Sequence, residues 1–161
     1  DPKHLLNGSA ALAEIKVADW LKNKAFQKEV FGSFALMVVY QDVAELAEVA
    51  KQLQGQLTIT VWAEAEELQT QLFLINLLEE KCGRLLFKGA PTGVEVGHAM
   101  QHGGPFPATT APNSTSVGAY AIKRFARPIA FQDMPSALLP DALQDHNPLG
   151  IWRTVNGVLT K

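Results

Sequence analysis

One cysteine in 161 residues, Cys82, leaves no internal disulfide to form and points to a reducing, cytoplasmic compartment. No uninterrupted run of about 20 apolar residues occurs, and no charged leader with an apolar core opens the chain, so neither a membrane span nor a signal peptide is expected. Charge of one sign is not in excess. Fourteen Lys and Arg against sixteen Asp and Glu leave a net charge of −2 with no basic block, which argues against nucleic acid as a partner. The 12 glycines and 9 prolines follow no period, and 47% of residues are apolar, so collagen-like and wholly disordered chains are excluded. Also missing are a G-x-G-x-x-G after a strand, a G-x-x-x-x-G-K loop and a glycine-flanked serine elbow, so no phosphate cradle or serine nucleophile is legible. The tripeptides at Asn7 and Asn113 match the glycosylation pattern by chance. At 17.5 kDa the chain has the size of one domain, yet it starts at Asp1 rather than Met, which suggests a piece of something longer.

What is present reads as α/β. Residues 34–40, FALMVVY, form an unbroken apolar run of strand length, as expected for a parallel strand covered on both faces. Asp42 and Glu45 make a capping-box-like start to a helix whose apolar positions Val43, Leu46, Ala47, Ala50 and Leu53 recur until Gly55. A β-branched strand follows at 57–62. Leu68, Leu72, Ile75 and Leu78 then mark a second helix, Gly83 stands past its end, and 84–88 read as a third strand. This order predicts a parallel βαβαβ core. Upstream, 12–17 alternate like a strand and 25–30 suit one helical turn. Residues 89–116 form a glycine- and proline-rich loop of 28 residues, long enough to suggest function. A short helix is predicted over 117–126, a strand over 129–132, and an extended piece around 151–155. Three parallel strands are few for an open sheet, so the sheet is expected to continue elsewhere.

Among chemically suggestive groups, His98 and His102 are spaced i, i+4, but no Glu accompanies them and His4 and His146 are remote in sequence, so loop histidines are preferred to a metal site. Cys82 sits between a helix end and Gly83, which favours a structural thiol over a nucleophile. Glu29 and Phe31, in KEVFG before the first apolar strand, can point to one side. The carboxylate can then take vicinal hydroxyls of a sugar and the ring a flat heterocycle. On spacing alone, a solvated Glu beside Lys28 and a core Phe are the favoured reading.

At Glu29-Val30-Phe31-Gly32 the chain resembles the C-terminal part of NAD(P)-dependent aldehyde dehydrogenases, whose catalytic domain carries E-x-F-G before a strand. GQLT at 55–58, GRLLF at 83–87, PTGVEV at 91–96, HAMQHGGPFPAT at 98–109, TSVG at 115–118 and NPLGIWR at 147–153 resemble the 2,5-dioxopentanoate (alpha-ketoglutaric semialdehyde) and bacterial fatty aldehyde dehydrogenase branch. The resemblance implies a catalytic-domain part over 1–126 and a tail with an oligomerisation strand over 127–161. It implies that Glu29 and Phe31 bind NADP or NAD at the nicotinamide ribose and ring. Pro91, Thr92, Gly93 and Val94 would line the path of a small aldehyde, and the tail would join subunits of a homodimer or higher oligomer. The family's cysteine nucleophile precedes E-x-F-G, whereas residues 1–28 hold no cysteine, so this chain alone is expected to be inactive and to need the remainder of a dehydrogenase chain. Lys28, Ser33, Lys88 and Gly97 depart from the family pattern. The competing expectation is a standalone α/β binding or oligomerisation module that has no chemistry.

Overall fold

A computed structural model describes residues 8–161; His4 and Asn7 lie outside the described residues. The described chain is mixed α/β and divides into two compact units, Asp1–Ala126 and Arg127–Lys161. In chain order the first unit contains β1 (Ala11–Lys16), α1 (Val17–Lys22), β2 (Phe34–Val39), α2 (Val43–Gln52), β3 (Gln56–Val61), α3 (Ala65–Thr70), α4 (Leu72–Glu79) and β4 (Cys82–Phe87). Among the described residues no helix is long and apolar enough to cross a membrane.

The predicted continuous βαβαβ sheet is corrected. β2 pairs in parallel with β1, from Ala11 opposite Phe34 to Lys16 opposite Val39, while β3 pairs in parallel with β4 in a separate sheet. β2 and β3 are successive and joined by α2, but their ladders run to other partners. Among the described residues β2 has one strand partner, and its apolar run is not covered on both faces: Met37 and Val39 remain 44% and 43% exposed.

Local chemistry explains most element boundaries. The Asp42 carboxylate accepts from Glu45 N at 2.9 Å and caps α2, while Glu45 reaches back to Gln41 N at 2.8 Å. The single second helix expected over Leu68–Leu78 is instead α3 and α4, broken at Gln71. Thr70 Oγ1 donates to Glu67 O at 2.8 Å, a side-chain bond that competes with the helical ladder. β4 begins earlier than predicted, at Cys82, and Lys88 ends it in the left-handed region with φ 49°. The helix expected over 117–126 is a 3-10 segment, Ala119–Phe125, with no buried residue to anchor an apolar face. The core lies along the helices: Ala50, Leu74 and Leu78 are buried, with Leu46, Ile59, Val61 and Leu85 packed against them.

The long loop is ordered by its backbone and by one buried hydroxyl. A Cβ at Gly55 would collide with the Pro105 and Phe106 carbonyls, one at Gly83 with the Gly103 carbonyl, and one at Gly104 with Gln56 O at 2.6 Å. The HGGPFP segment therefore lies directly on the first residues of β3 and β4, and Gly55 serves this close approach rather than a helix stop. Thr115, 4% exposed, accepts from His102 N at 2.9 Å and donates to Val117 O at 2.7 Å.

In the unit Arg127–Lys161, residues 129–132 pair with no other segment of the unit. The unit holds an antiparallel hairpin, β5 (Arg153–Val155) and β6 (Val158–Thr160), turned by Asn156 and Gly157 with φ 50° and 82°. Asn-Gly between apolar residues is the two-residue hairpin signal, and the extended piece expected around 151–155 supplies its first strand. Arg153 donates to Gln144 O at 2.6 Å and Asp145 O at 2.7 Å, and Asn147 exchanges two bonds with the Ile151 backbone, which explains much of the NPLGIWR stretch as turn chemistry.

Gly83→Ala should cost about 2 kcal/mol in urea unfolding because backbone must move, whereas Gly93→Ala, with nothing within 4 Å of its Cβ position, should stay within about 0.5 kcal/mol of the parent. Thr115→Val, which strands the His102 N–H, should cost about 1–3 kcal/mol, and Thr115→Ser should recover most of it.

Candidate functional site

The connection 28–33 leaves the 3-10 turn Lys24–Gln27, held by Asn23 Oδ1 accepting from Ala25 N at 3.0 Å, and reaches β2 through Gly32, φ 146°. It borders a cavity of about 650 Å³ whose walls include Ile15 on β1, Phe34 and Leu36 on β2, Phe26, Glu29 and Phe31. Phe31 is 96% exposed, so its ring is not a core residue. Among the described residues the Glu29 carboxylate has neither a hydrogen bond nor an ion pair. Glu29 also borders a more polar cavity of about 740 Å³, shared with Lys28, Gln54, Gln56, Thr58 and Pro107. A free carboxylate and an uncovered aromatic thus sit at the meeting of an apolar and a polar hollow. The pair suits a ligand with a flat ring and neighbouring hydroxyls.

Pro91, Thr92, Gly93 and Val94 are exposed and outside regular structure, and none of them borders either cavity beside Glu29. Thr92 N donates to Ala90 O at 2.8 Å, and the Gly93 carbonyl accepts from Arg84 Nη1 at 3.0 Å. The structure of this chain therefore does not bring the two sets of expected site residues into one cavity. Arg84 escaped the sequence reading. Its charged side chain in the otherwise apolar strand RLLF was the available signal.

The histidines are held by loop packing. His98 meets Tyr120 edge to face at 5.7 Å between ring centres, and the His102 backbone is bonded by Thr115 and Ser116. Among the described residues no group of three or more His, Cys, Asp or Glu is arranged to hold a metal. Cys82 Sγ donates to Leu78 O at 3.4 Å, and the residue borders neither cavity beside Glu29. Burial pushes its thiol above the ordinary range and Glu79 adds to this, against backbone hydrogen bonds at Ile59 and Arg84.

The chain is 51% identical over 139 residues to the alpha-ketoglutaric semialdehyde dehydrogenase of Acinetobacter baylyi, covering 86% of this chain and 26% of that protein. It is 50% identical over 147 residues to alpha-ketoglutaric semialdehyde dehydrogenase 2 of Azospirillum brasilense, covering 91% of this chain and 28% of that protein. The chain is homologous to aldehyde dehydrogenases. It spans about a quarter of the length of these curated dehydrogenases. No protein-family profile matches it.

A raised thiol value makes Cys82 a slow nucleophile. At about pH 8.5 iodoacetamide should label it more slowly in the folded chain than in urea. A thiol raised on folding favours the folded state only while protonated, so the unfolding midpoint should fall as pH climbs past the ordinary thiol value. Equal labelling rates in the two states would contradict this assignment.

Proposed function

We propose that this chain is the C-terminal part of an NAD(P)-dependent aldehyde dehydrogenase. In this reading it forms the nicotinamide-side wall, the aldehyde access loop and part of the subunit interface of an enzyme that oxidises an oxo-acid semialdehyde to the corresponding acid. The observation that carries this reading is the roughly one-half identity to two alpha-ketoglutaric semialdehyde dehydrogenases across nearly the whole chain, with Glu29 and Phe31 of the E-x-F-G segment free at a cavity. That degree of identity disfavours the standalone module.

The bound NAD(P) supplies the hydride acceptor. Glu29 would accept hydrogen bonds from the ribose hydroxyls and Phe31 would pack beside the nicotinamide ring, so the chain's contribution is orientation. Pro91, Thr92, Gly93 and Val94 form a wall of the aldehyde path. Over the whole reaction, aldehyde, water and NAD(P)+ give carboxylic acid, NAD(P)H and a proton. The nucleophile comes from the remainder of the dehydrogenase chain, since Cys82 is held away from the Glu29 cavities. In the unit Arg127–Lys161, Ile129, Trp152 and Leu159 are each about two-thirds exposed, which suits apolar surface covered between subunits.

The test uses the full dehydrogenase that contains this sequence. Glu29→Gln should raise KM for NAD(P)+ about tenfold through loss of a charge-assisted hydrogen bond, with a smaller change in KM for the aldehyde. An unchanged cofactor KM would remove Glu29 from the site. The 161-residue chain by itself should reduce no NAD(P)+ with any aldehyde, and measurable turnover would overturn the division of labour.

A further inference from the structure

We propose that Arg84 is a positioning residue that sets the shape of the aldehyde path by holding the 91–96 loop through the Gly93 carbonyl. The inference rests on the reading of residues 91–94 as a wall of that path.

Arg84 sits in β4 opposite Thr58 and belongs to the more rigid part of the unit, because β4 packs through Leu85 on the core around Ala50, Leu74 and Leu78. Its guanidinium crosses from this strand to the loop. Nη1 donates to Gly93 O at 3.0 Å and lies 3.9 Å from Met100 Sδ, while Nε is out of solvent without a partner. Among the described residues, this is the only hydrogen bond that reaches residues 91–96 from outside the loop's own local turns. The two others, Thr92 N to Ala90 O and Gly97 N to Glu95 O, are internal to the loop.

Arg84 also lines a cavity of about 560 Å³ with Glu95, His98, Met100 and Gln101. Nothing lies within 4 Å of a Cβ position at Gly93, so no packing there substitutes for the hydrogen bond. A planar guanidinium on a fixed strand holds one carbonyl at one distance. A lysine ammonium on a flexible stem retains charge and a donor but not that geometry, and a methionine retains bulk alone. The width of the path is therefore expected to depend on Arg84 although it need not touch the aldehyde.

The experiment compares Arg84→Met and Arg84→Lys with the parent in the full dehydrogenase. Hydrogen exchange is read at the amides of residues 92–97, and KM and kcat are read for a short and a long aldehyde. In Arg84→Met, exchange should accelerate about three- to tenfold, and the ratio of KM values for long and short aldehydes should move at least about threefold, with KM changing more than kcat. Arg84→Lys should fall between Arg84→Met and the parent. If Arg84→Met fails to fold, Arg84→Lys carries the test alone. Unchanged exchange at 92–97 overturns the proposed tie while the functional reading above stands. Faster exchange with an unchanged KM ratio overturns the specificity role and counts against residues 91–94 as the aldehyde wall.

Discussion

The arrangement of the first unit depends on a backbone-to-backbone approach in which residues 103–106 lie against Gly55 at the entrance to β3 and Gly83 in β4. Two strands and a loop meet here with no side chain between them. Any Cβ at Gly55, Gly83 or Gly104 would enter space held by a carbonyl or an amide, and backbone cannot rotate away as a flexible side chain can. Once the segment is seated, the Thr115 hydroxyl ties His102 to Val117, and Gln101 Nε2 reaches Ser114 O at 3.3 Å. The irregular stretch after β4 is thus ordered without a ladder of its own, and its free part is concentrated at residues 91–96.

That distribution connects packing to function. The seated segment contributes Pro107 and Ala108 to the polar hollow beside Glu29, so one glycine-lined contact both closes the end of β3 and β4 and shapes a cavity wall. Loop 91–96 is exposed and is anchored to β4 by a charged donor rather than by burial. Apolar burial is non-directional and leaves a segment some freedom to slide, whereas a guanidinium on a carbonyl fixes one distance. In the proposed dehydrogenase the aldehyde side is therefore fixed at one carbonyl, through Arg84.

Local sequence accounts for much of the fold. β1, β2, β3 and β4 fall within two residues of the segments that apolar runs and β-branched content indicate, because those signals act over a few residues. Capping at Asp42 was readable for the same reason. The Asn156-Gly157 hairpin was readable in principle, since both residues sit at positive φ, which Asn and Gly tolerate best. The break at Gln71 was less so. It depends on a Thr70 hydroxyl choosing the Glu67 carbonyl, in a stretch whose apolar spacing alone continues through the break.

Composition, the lone cysteine after E-x-F-G and the ordered string of motifs determined by themselves the relationship to aldehyde dehydrogenases and the residues proposed to meet the cofactor. These are properties of residue identity and order, and they survive any detail of packing. Tertiary structure decided which strands pair, that Phe31 stands clear of the core, that Gly55 and Gly83 serve close approach, and that Arg84 reaches Gly93. Each of these depends on groups distant along the chain meeting at a few ångströms. No local pattern encodes such distances, because they result from how the whole unit packs.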